Sequence, residues 1–384
     1  MGIHVPFHKP HITDAEIEAV AGVMRSGWLT MGPKTVEFEE SFRARTGAVH
    51  AVAVSSATAA LHLALVAAGV GEGDEVIVPA MTFAASAEVV LYRGASVVMA
   101  DIEPDTHLLD AECIAEKIGH RTRAVMPVHY GGMPCDMDPI MDLARRNGLV
   151  VIEDAAHSLP AHYRGKEVGT IGDLTCFSFY ATKTLAAGEG GMITTENAEW
   201  AERVRSLRLH GIGRDAWKRY SSEGSWAYDV LETGYKYNMT DIAAAIGIEQ
   251  LKKLDWMNER RADIASMYDA AFSGNEAFIP YGRRADRSSA RHLYPLRLNL
   301  EALSIDRARF IAELKERGIG ASVHFIPLYR FTQYAGMGFR AADYPSCEWV
   351  YEREVSLPIY PGMDKAEIDW VIEGVLDVAK SFGR

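Results

Sequence analysis

The sequence has few of the features that mark exported, disulfide-bonded or membrane-spanning proteins. Its 384 residues include four cysteines that lie far apart and form no Cys-x-x-Cys pair. This spacing indicates neither a disulfide framework nor a zinc site, and it fits a reducing compartment. No stretch approaches the roughly 18 uninterrupted apolar residues of a transmembrane helix, and the amino terminus lacks a basic start and an apolar core. We therefore expect a cytoplasmic protein with no membrane partner and no bound metal.

The sequence also lacks any long run of lysine and arginine. Its formal net charge is −12, so nucleic acid and anionic membranes are poor candidates for its main partner. An anionic substrate would need positive groups that are gathered locally. With 48% hydrophobic and 24% charged residues the composition is that of a globular protein, and the length predicts one large and one smaller domain.

From residue 51 onward, short β-branched runs alternate with longer helical ones. The strand-like runs include AVAVS, EVIVP, SVVMAD and LVVIEDAA. Continuous apolar strands with a helix between each pair are typical of a mostly parallel sheet covered on both faces. After about residue 250 the alternation stops and the pattern becomes α+β. We predict an α/β large domain over residues 1–250 and a small α+β domain over residues 251–384.

Two stretches have compositions that are found in phosphate-binding loops, and their positions between strand and helix separate them. The stretch SSATAALHLAL places Ser55, Ser56 and Thr58 between a strand and a helix, where the helix dipole favours an anion; the alternative is an ordinary helix cap. The stretch GVGEGD follows a helix and precedes a strand, the reverse of the dinucleotide-binding order. We interpret the second stretch as a turn.

The strand that ends in VVIEDAAHS carries Asp154 and His157. A carboxylate at the end of a buried strand is costly without a cationic partner, although it could also cap a helix or form a surface ion pair. A hydrolase triad with Ser178 is disfavoured because no Gly-x-Ser-x-Gly elbow surrounds a serine in this region. His129, in VMPVHYGG, is more simply a hydrogen-bonded structural residue than a ligand.

Lys183 is the unusual residue of the stretch FYATKTLAAGEGG. It stands among alanines and a leucine, where an exposed loop would be more polar, so it is a candidate for a placed amine. Together the pieces suit one cofactor: a phosphate for Ser56–Thr58, a ring nitrogen for Asp154, a flat ring for Phe83, and an aldehyde for Lys183. Pyridoxal phosphate meets all four needs.

The successive motifs resemble those of the DegT/StrS family of nucleotide-sugar aminotransferases over nearly the whole chain. They are SSATAALHLAL, DEVIVPAMTFAASA, VIEDAAHS, GDLTCFSFYATKTLAAGEGGMITT and GYKYNMTDIAAAIG, in the family's order. Within the family, SGWLTMGPK, LRLHGIGRDAW, GYKYN and SVHFIPLY are most similar to enzymes that make UDP-4-amino-4-deoxy-L-arabinose. The resemblance implies the fold type I scaffold of pyridoxal phosphate-dependent transferases.

The resemblance also implies roles for individual residues. Lys183 would form the Schiff base and shuttle the proton, and Asp154 would pair with the pyridinium nitrogen. His157 would lie near the ring oxygen and Phe83 would stack on the ring. The phosphate would be held by Ala57, Thr58 and Ser178, and by a residue of a neighbouring subunit. Relatives usually supply that residue from GYNYR as an asparagine; here the slot holds Lys236, and Asn238 replaces the arginine.

The sugar nucleotide would then lie in a cleft near an amino-terminal arm, residues 1–12. The resemblance places Phe7, Trp28, Thr30 and His324 there, although Phe7 and Trp28 could simply pack the arm. The long polar and aromatic segment 211–234 is a candidate lid or dimer-spanning loop. Because the phosphate site borrows from a second chain in relatives, we expect a homodimer with active sites at the subunit interface.

The implied reaction passes the amino group of glutamate, which leaves as 2-oxoglutarate, to a keto sugar nucleotide. The sugar is a UDP-4-keto-pentose by the subgroup resemblance, in a route to cell-surface polysaccharide or lipopolysaccharide. A 4-keto-6-deoxyhexose of the perosamine, bacillosamine or pseudaminic acid type is the main alternative. A sugar dehydratase of the same family would carry histidine in place of Lys183, and a non-catalytic regulator would not need that lysine.

Overall fold

The computed structural model describes residues 3–213 and 228–384, and a seven-stranded sheet lies at its centre. The strands of the described residues are, in chain order, β1 His50–Val54, β2 Glu75–Pro79, β3 Ser96–Ala100, β4 Thr122–Val125, β5 Val150–Asp154, β6 His162–Tyr163, β7 Lys166–Glu167, β8 Leu174–Ser178, β9 Gly191–Thr195, β10 Phe278–Ile279, β11 Arg287–Ser288, β12 Tyr294–Leu298 and β13 Glu354–Leu357.

Helices connect and cover these strands. The α-helices of the same residues are α1 Asp14–Ser26, α2 Pro33–Thr46, α3 Ala57–Ala67, α4 Ala84–Tyr92, α5 Ala111–Ala115, α6 Met137–Asn147, α7 Ala198–Leu207, α8 Asp241–Lys252, α9 Leu254–Phe272, α10 Arg307–Glu316, α11 Thr332–Gly336, α12 Pro345–Arg353 and α13 Lys365–Ser381. Short 3-10 turns occupy Tyr130–Gly132, Leu328–Arg330 and Ala341–Asp343.

The central sheet has the strand order β1-β9-β8-β5-β4-β2-β3. The pairs from β3 to β8 are parallel, whereas β9 runs antiparallel to both β8 and β1. Val76, Ile77 and Val78 of β2 are fully buried, as expected for a strand covered by helices on both faces. The predicted α/β fold class with a mostly parallel sheet is confirmed.

A second hydrophobic core lies around the carboxyl-terminal elements. The antiparallel sheet β10-β12-β13 packs with α9, α10 and α13 around buried residues such as Phe310 and Val371. Val5 of the amino-terminal arm is buried in the same core and pairs with Ile319. This α+β arrangement follows the sequence pattern, while the boundary at residue 250 stays a prediction.

Three strands of the central sheet end at one edge. Val54 of β1 leads into α3, Asp154 ends β5, and Ser178 ends β8. Because ligands of open α/β sheets bind beyond the carboxyl ends of parallel strands, this edge is where a site is expected. In the described part of the chain no helix is long and apolar enough to cross a membrane, and no group of side chains is arranged to hold a metal ion.

Candidate active site

A cavity of about 430 Å³ opens at this edge of the sheet, between the strand ends, the amino-terminal arm and the loop after residue 321. Its volume suits a small organic ligand. Nine of the twelve predicted site residues line it: Phe7, Ala57, Thr58, Phe83, Asp154, His157, Ser178, Lys183 and His324. They come from segments more than 300 residues apart, so the fold has gathered them.

Asp154 contributes a buried carboxylate to the cavity. Ser86 of α4 donates its hydroxyl hydrogen to Oδ2 at 2.8 Å, and the Ala156 amide donates to Oδ1 at 3.1 Å. Burial nevertheless raises the pKa of this carboxyl, and the two hydrogen bonds and the Lys183 charge only partly offset it. A ligand that brings a positive charge to Asp154 would therefore be bound strongly.

Lys183 follows β8 in a turn. The Lys183 amide closes this turn by donating a hydrogen bond to the Tyr180 carbonyl at 2.8 Å. Burial lowers the pKa of its amine from 10.5 to about 8, and the Asp154 carboxylate opposes that shift. With this pKa roughly a tenth of the amine is neutral at pH 7, and the rest is charged. A neutral lysine amine in a cavity is the form that attacks a carbonyl carbon.

The start of α3 forms an anion cup. Ser56 caps the helix by accepting a hydrogen bond from the Ala59 amide at 3.1 Å, and Ala57 and Thr58 occupy the first turn. The Ser178 hydroxyl lines the same space. The cup needs glycine at position 191, because a Cβ there would lie 2.5 Å from the Ser56 carbonyl oxygen. Exposed helix amides beside hydroxyls are suited to a phosphate group.

Aromatic rings form the walls between the cup and the amine. Phe83, at the start of α4, is 62% exposed, so its ring can stack on a ligand. His157 is buried, stacks on Phe325 at 5.7 Å, and accepts a hydrogen bond from the Gly131 amide at 3.3 Å. Burial, reinforced by the Lys183 charge, holds its pKa well below the ordinary value, so the ring is neutral.

Another part of the cavity wall is made by Phe7 of the arm and His324. Their rings stack with centroids 5.4 Å apart, and both face the cavity. His324 is anchored from behind, because Nδ1 lies 2.9 Å from the Ser356 hydroxyl and the Tyr130 hydroxyl donates to the His324 carbonyl at 2.6 Å. The amino-terminal arm therefore forms part of the cavity wall, while the binding of substrate by Phe7 and His324 stays a prediction.

Three predicted site residues lie away from this cavity. Trp28 lines a separate groove beside Asp241, and its indole N–H donates to the Met31 carbonyl at 3.1 Å. Thr30 is exposed, and its carbonyl accepts the Asp241 amide at 3.2 Å. Lys236 is exposed and donates to Asn238 at 2.6 Å. Their predicted roles, which involve a neighbouring subunit for Lys236, stay predictions.

The candidate lid, residues 211–234, includes residues 214–227, which lie outside the described residues. Its flanks meet each other: Ile212 forms a bridge with Val230, and the Leu231 amide donates to the Gly211 carbonyl at 2.8 Å.

The structure adds site residues that the sequence interpretation missed. Ser86 orients Asp154, while Tyr180, His292 and Phe325 line the cavity. The centroid of the His292 ring lies 4.3 Å from that of His157, and His292 comes from the loop just before β12. The signal for Ser86 in the sequence is its position three residues after Phe83 in the stretch DEVIVPAMTFAASA. His129 is a hydrogen-bonded structural residue, because its Nε2 lies 2.8 Å from Oε2 of the buried Glu153.

The cavity fits pyridoxal phosphate group by group. The α3 cup suits its phosphate, the buried Asp154 carboxylate its ring nitrogen, Phe83 one face of its ring, and the Lys183 amine its aldehyde. The strongest of these matches is that of Asp154. Its carboxylate is costly to bury, and a protonated ring nitrogen would supply a positive charge beside it.

Comparisons with known proteins agree with this geometry. Residues 10–376 match the DegT/DnrJ/EryC1/StrS aminotransferase family. The chain is 51% identical to the uncharacterized protein MJ1066 of Methanocaldococcus jannaschii over 97% of this chain and 96% of that one. It is 47% identical to the spore coat polysaccharide biosynthesis protein SpsC of Bacillus subtilis, over 98% and 97% of the two chains.

A solved structure resembles the whole chain. The putative sugar aminotransferase Spr1654 of Streptococcus pneumoniae, in its PMP form, has a TM-score of 0.93 at 36% identity, covering 98% of this chain and 99% of that one. The same protein is known in a PLP form. The chain thus belongs to the DegT/DnrJ/EryC1/StrS aminotransferase family, which confirms the predicted enzyme class and the pyridoxal phosphate cofactor.

Proposed function

We propose that this aminotransferase moves an amino group from glutamate to the keto carbon of a sugar nucleotide. The observation that carries the proposal is the pairing of two groups in one cavity: the Lys183 amine, with a pKa near 8, and the buried Asp154 carboxylate. The names of two relatives, a sugar aminotransferase and a polysaccharide biosynthesis protein, support a sugar as the acceptor.

When bound, pyridoxal phosphate supplies an electron sink for amino transfer. Asp154 keeps the ring nitrogen protonated, and Ser86 holds the carboxylate in place at 2.8 Å. With the cofactor held there, Lys183 would be the group that takes up and returns the proton during amino transfer, and its lowered pKa would let it act as a base near neutral pH. General acid–base transfer of this kind typically contributes about 10² to 10⁴-fold to the rate.

Phe7 and His324 are proposed to bind the sugar, because their stacked rings line the same cavity as the Lys183 amine. We assign the acceptor to the UDP-4-keto-pentose class from the stretches SGWLTMGPK and SVHFIPLY. The product would enter a route to surface polysaccharide.

A homodimer is part of this proposal. Lys236, Trp28 and Thr30 lie outside the cavity of their own chain, and Lys236 keeps an exposed positive charge that could complete a partner's phosphate cup. Sedimentation of the purified protein tests the assembly. Mixed dimers of Lys183→Ala and Lys236→Ala chains test the sharing, because each mixed dimer would regain one intact site.

A spectroscopic titration tests the reaction itself. The yellow band of the loaded enzyme should bleach on addition of glutamate, and one member of a panel of keto sugar nucleotides should restore it. The panel includes UDP-4-keto-pentose and 4-keto-6-deoxyhexose nucleotides, so the sugar that restores the band names the acceptor. Lys183→Ala should abolish turnover. Normal turnover by that variant, or a band that glutamate leaves unchanged, would contradict the proposal.

A further inference from the structure

A buried carboxyl group lies directly behind the cavity wall. Glu354 is the first residue of β13, and it is 1% exposed. Burial raises its pKa to about 7, although hydrogen bonds from Ser356 and the His324 amide oppose the shift, as does the charge of Arg307. The Arg307 guanidinium itself donates to the Tyr351 carbonyl. Nothing in the proposed amino transfer uses this carboxyl, so the free-energy cost of burying it calls for another explanation.

Glu354 is joined to the cavity by a chain of hydrogen bonds. Ser356 donates its hydroxyl hydrogen to Glu354 Oε1 at 2.5 Å, and His324 Nδ1 lies 2.9 Å from the same hydroxyl oxygen. The His324 amide donates to Glu354 Oε2 at 3.0 Å. The chain runs from a closed interior to a ring that lines the site.

The direction of the hydrogen bonds fixes the tautomer of His324. The Ser356 hydroxyl has one hydrogen, so when it is given to Glu354 the oxygen must accept from Nδ1–H. Burial and the Lys183 charge lower the pKa of His324 to about 4, so the ring is neutral and carries only that one proton. Nε2, the other nitrogen of this cavity-lining ring, is then a bare acceptor.

We propose that Glu354 is a positioning residue that, through Ser356, selects the Nδ1–H tautomer of His324 and so turns Nε2 into the acceptor for a hydroxyl group of the sugar substrate. This inference rests on the proposed sugar acceptor. Phe7 holds the ring by stacking at 5.4 Å, and the Tyr130 hydroxyl fixes its carbonyl.

The same chain can store a proton. A proton that arrives at Nε2 displaces the one on Nδ1 to Ser356, and the hydroxyl hydrogen of Ser356 passes to Glu354. One proton enters, one is held, and no bond to carbon changes. His324 then presents Nε2–H, a donor instead of an acceptor. Three other groups act on Glu354. They are the hydroxyls of Tyr130 and Tyr281, whose pKa values burial raises, and the guanidinium of Arg307.

A Glu354→Gln variant should lock the ring in the other tautomer. The amide nitrogen would donate to Ser356 while the amide oxygen keeps the His324 N–H, so the hydroxyl turns and donates to Nδ1. Ser356→Ala breaks the chain without altering the charge. Glu316→Gln, at an exposed position of α10, is the matched control.

The first readout is independent of activity. Nitrogen NMR of [15N]histidine-labelled enzyme distinguishes Nδ1–H from Nε2–H, and loss of a signal in His324→Gln assigns the ring among the 13 histidines. We expect Nδ1–H above pH 8 in the unaltered enzyme and Nε2–H in Glu354→Gln. The same tautomer in both would overturn the inference, as would Nε2–H in the unaltered enzyme above pH 8.

The second readout is kinetic. Glu354→Gln and Ser356→Ala should each raise the KM for the sugar roughly tenfold, about the value of one hydrogen bond to an acceptor. The rate of bleaching by glutamate should stay within about twofold, because the amino donor does not need His324. The sugar KM of the unaltered enzyme should fall as pH rises through about 7, and Glu354→Gln should lose that dependence.

The two proposals fail in different ways. If glutamate does not bleach the unaltered enzyme, the proposed function is wrong whatever the tautomer. If bleaching and sugar amination occur but the sugar KM of both variants matches that of Glu316→Gln, the role of Glu354 is wrong and the function stands.

Discussion

The lowered pKa of Lys183 predicts how the enzyme without cofactor takes up pyridoxal phosphate. Only the neutral amine attacks the aldehyde, so the rate should follow the neutral fraction. With a pKa of about 8, roughly a tenth of the amine is neutral at pH 7, whereas at 10.5 it would be about 0.03%. The neutral fraction at pH 7 is thus about 300-fold larger than that of an amine with a pKa of 10.5, and we expect a correspondingly faster capture.

The rate of capture is measured at a series of pH values, by stopped-flow absorbance after the cofactor-free enzyme is mixed with pyridoxal phosphate. The rate should rise tenfold per pH unit below about 8 and then level off. Lys183→Ala should show no such phase, and it controls for binding without covalent capture. A rate that keeps rising beyond about pH 10 would show instead that the amine has the pKa of an exposed lysine.

Three further predictions follow from the site. Asp154→Asn should speed capture by Lys183, since the carboxylate raises the amine's pKa, yet abolish turnover; rapid-mixing and steady-state rates check both effects. Gly191→Ala should weaken cofactor retention on dialysis at least tenfold, because its Cβ would displace the Ser56 carbonyl. Glu354 keeps its proton to about pH 7 when folded and to about 4.5 when unfolded, so its contribution to stability is lost as pH rises through 7. The free energy of unfolding in urea should fall by about 3 kcal/mol from this group between pH 4 and 8, and Glu354→Gln should remove that part.

The part of the site that lies at strand ends could be predicted from the sequence. Asp154, Ser178 and the Ser56–Thr58 turn each follow a recognisable apolar strand, and parallel strands bring such ends together. Lys183 stood out because its neighbours are apolar. These features could be predicted because each is written within a few consecutive residues.

The rest of the site depends on packing between distant segments. His292 and Phe325 reach the cavity from elements beyond residue 290, and no local pattern says which strand end they will face. Glu354 reads as an ordinary strand residue until Ser356 and His324 are seen beside it. Side chains brought together across such separations are fixed by tertiary packing, which periodicity does not encode.

Amino transfer to a sugar nucleotide can be followed by the fate of the glutamate nitrogen. The enzyme is incubated with [15N]glutamate and the keto sugar nucleotide that restores the yellow band, and the products are analysed by mass spectrometry. We expect an amino sugar nucleotide that carries the heavy nitrogen, formed together with 2-oxoglutarate. The Lys183→Ala variant should form neither product. An unlabelled product, or 2-oxoglutarate formed without any amino sugar, would contradict this expectation.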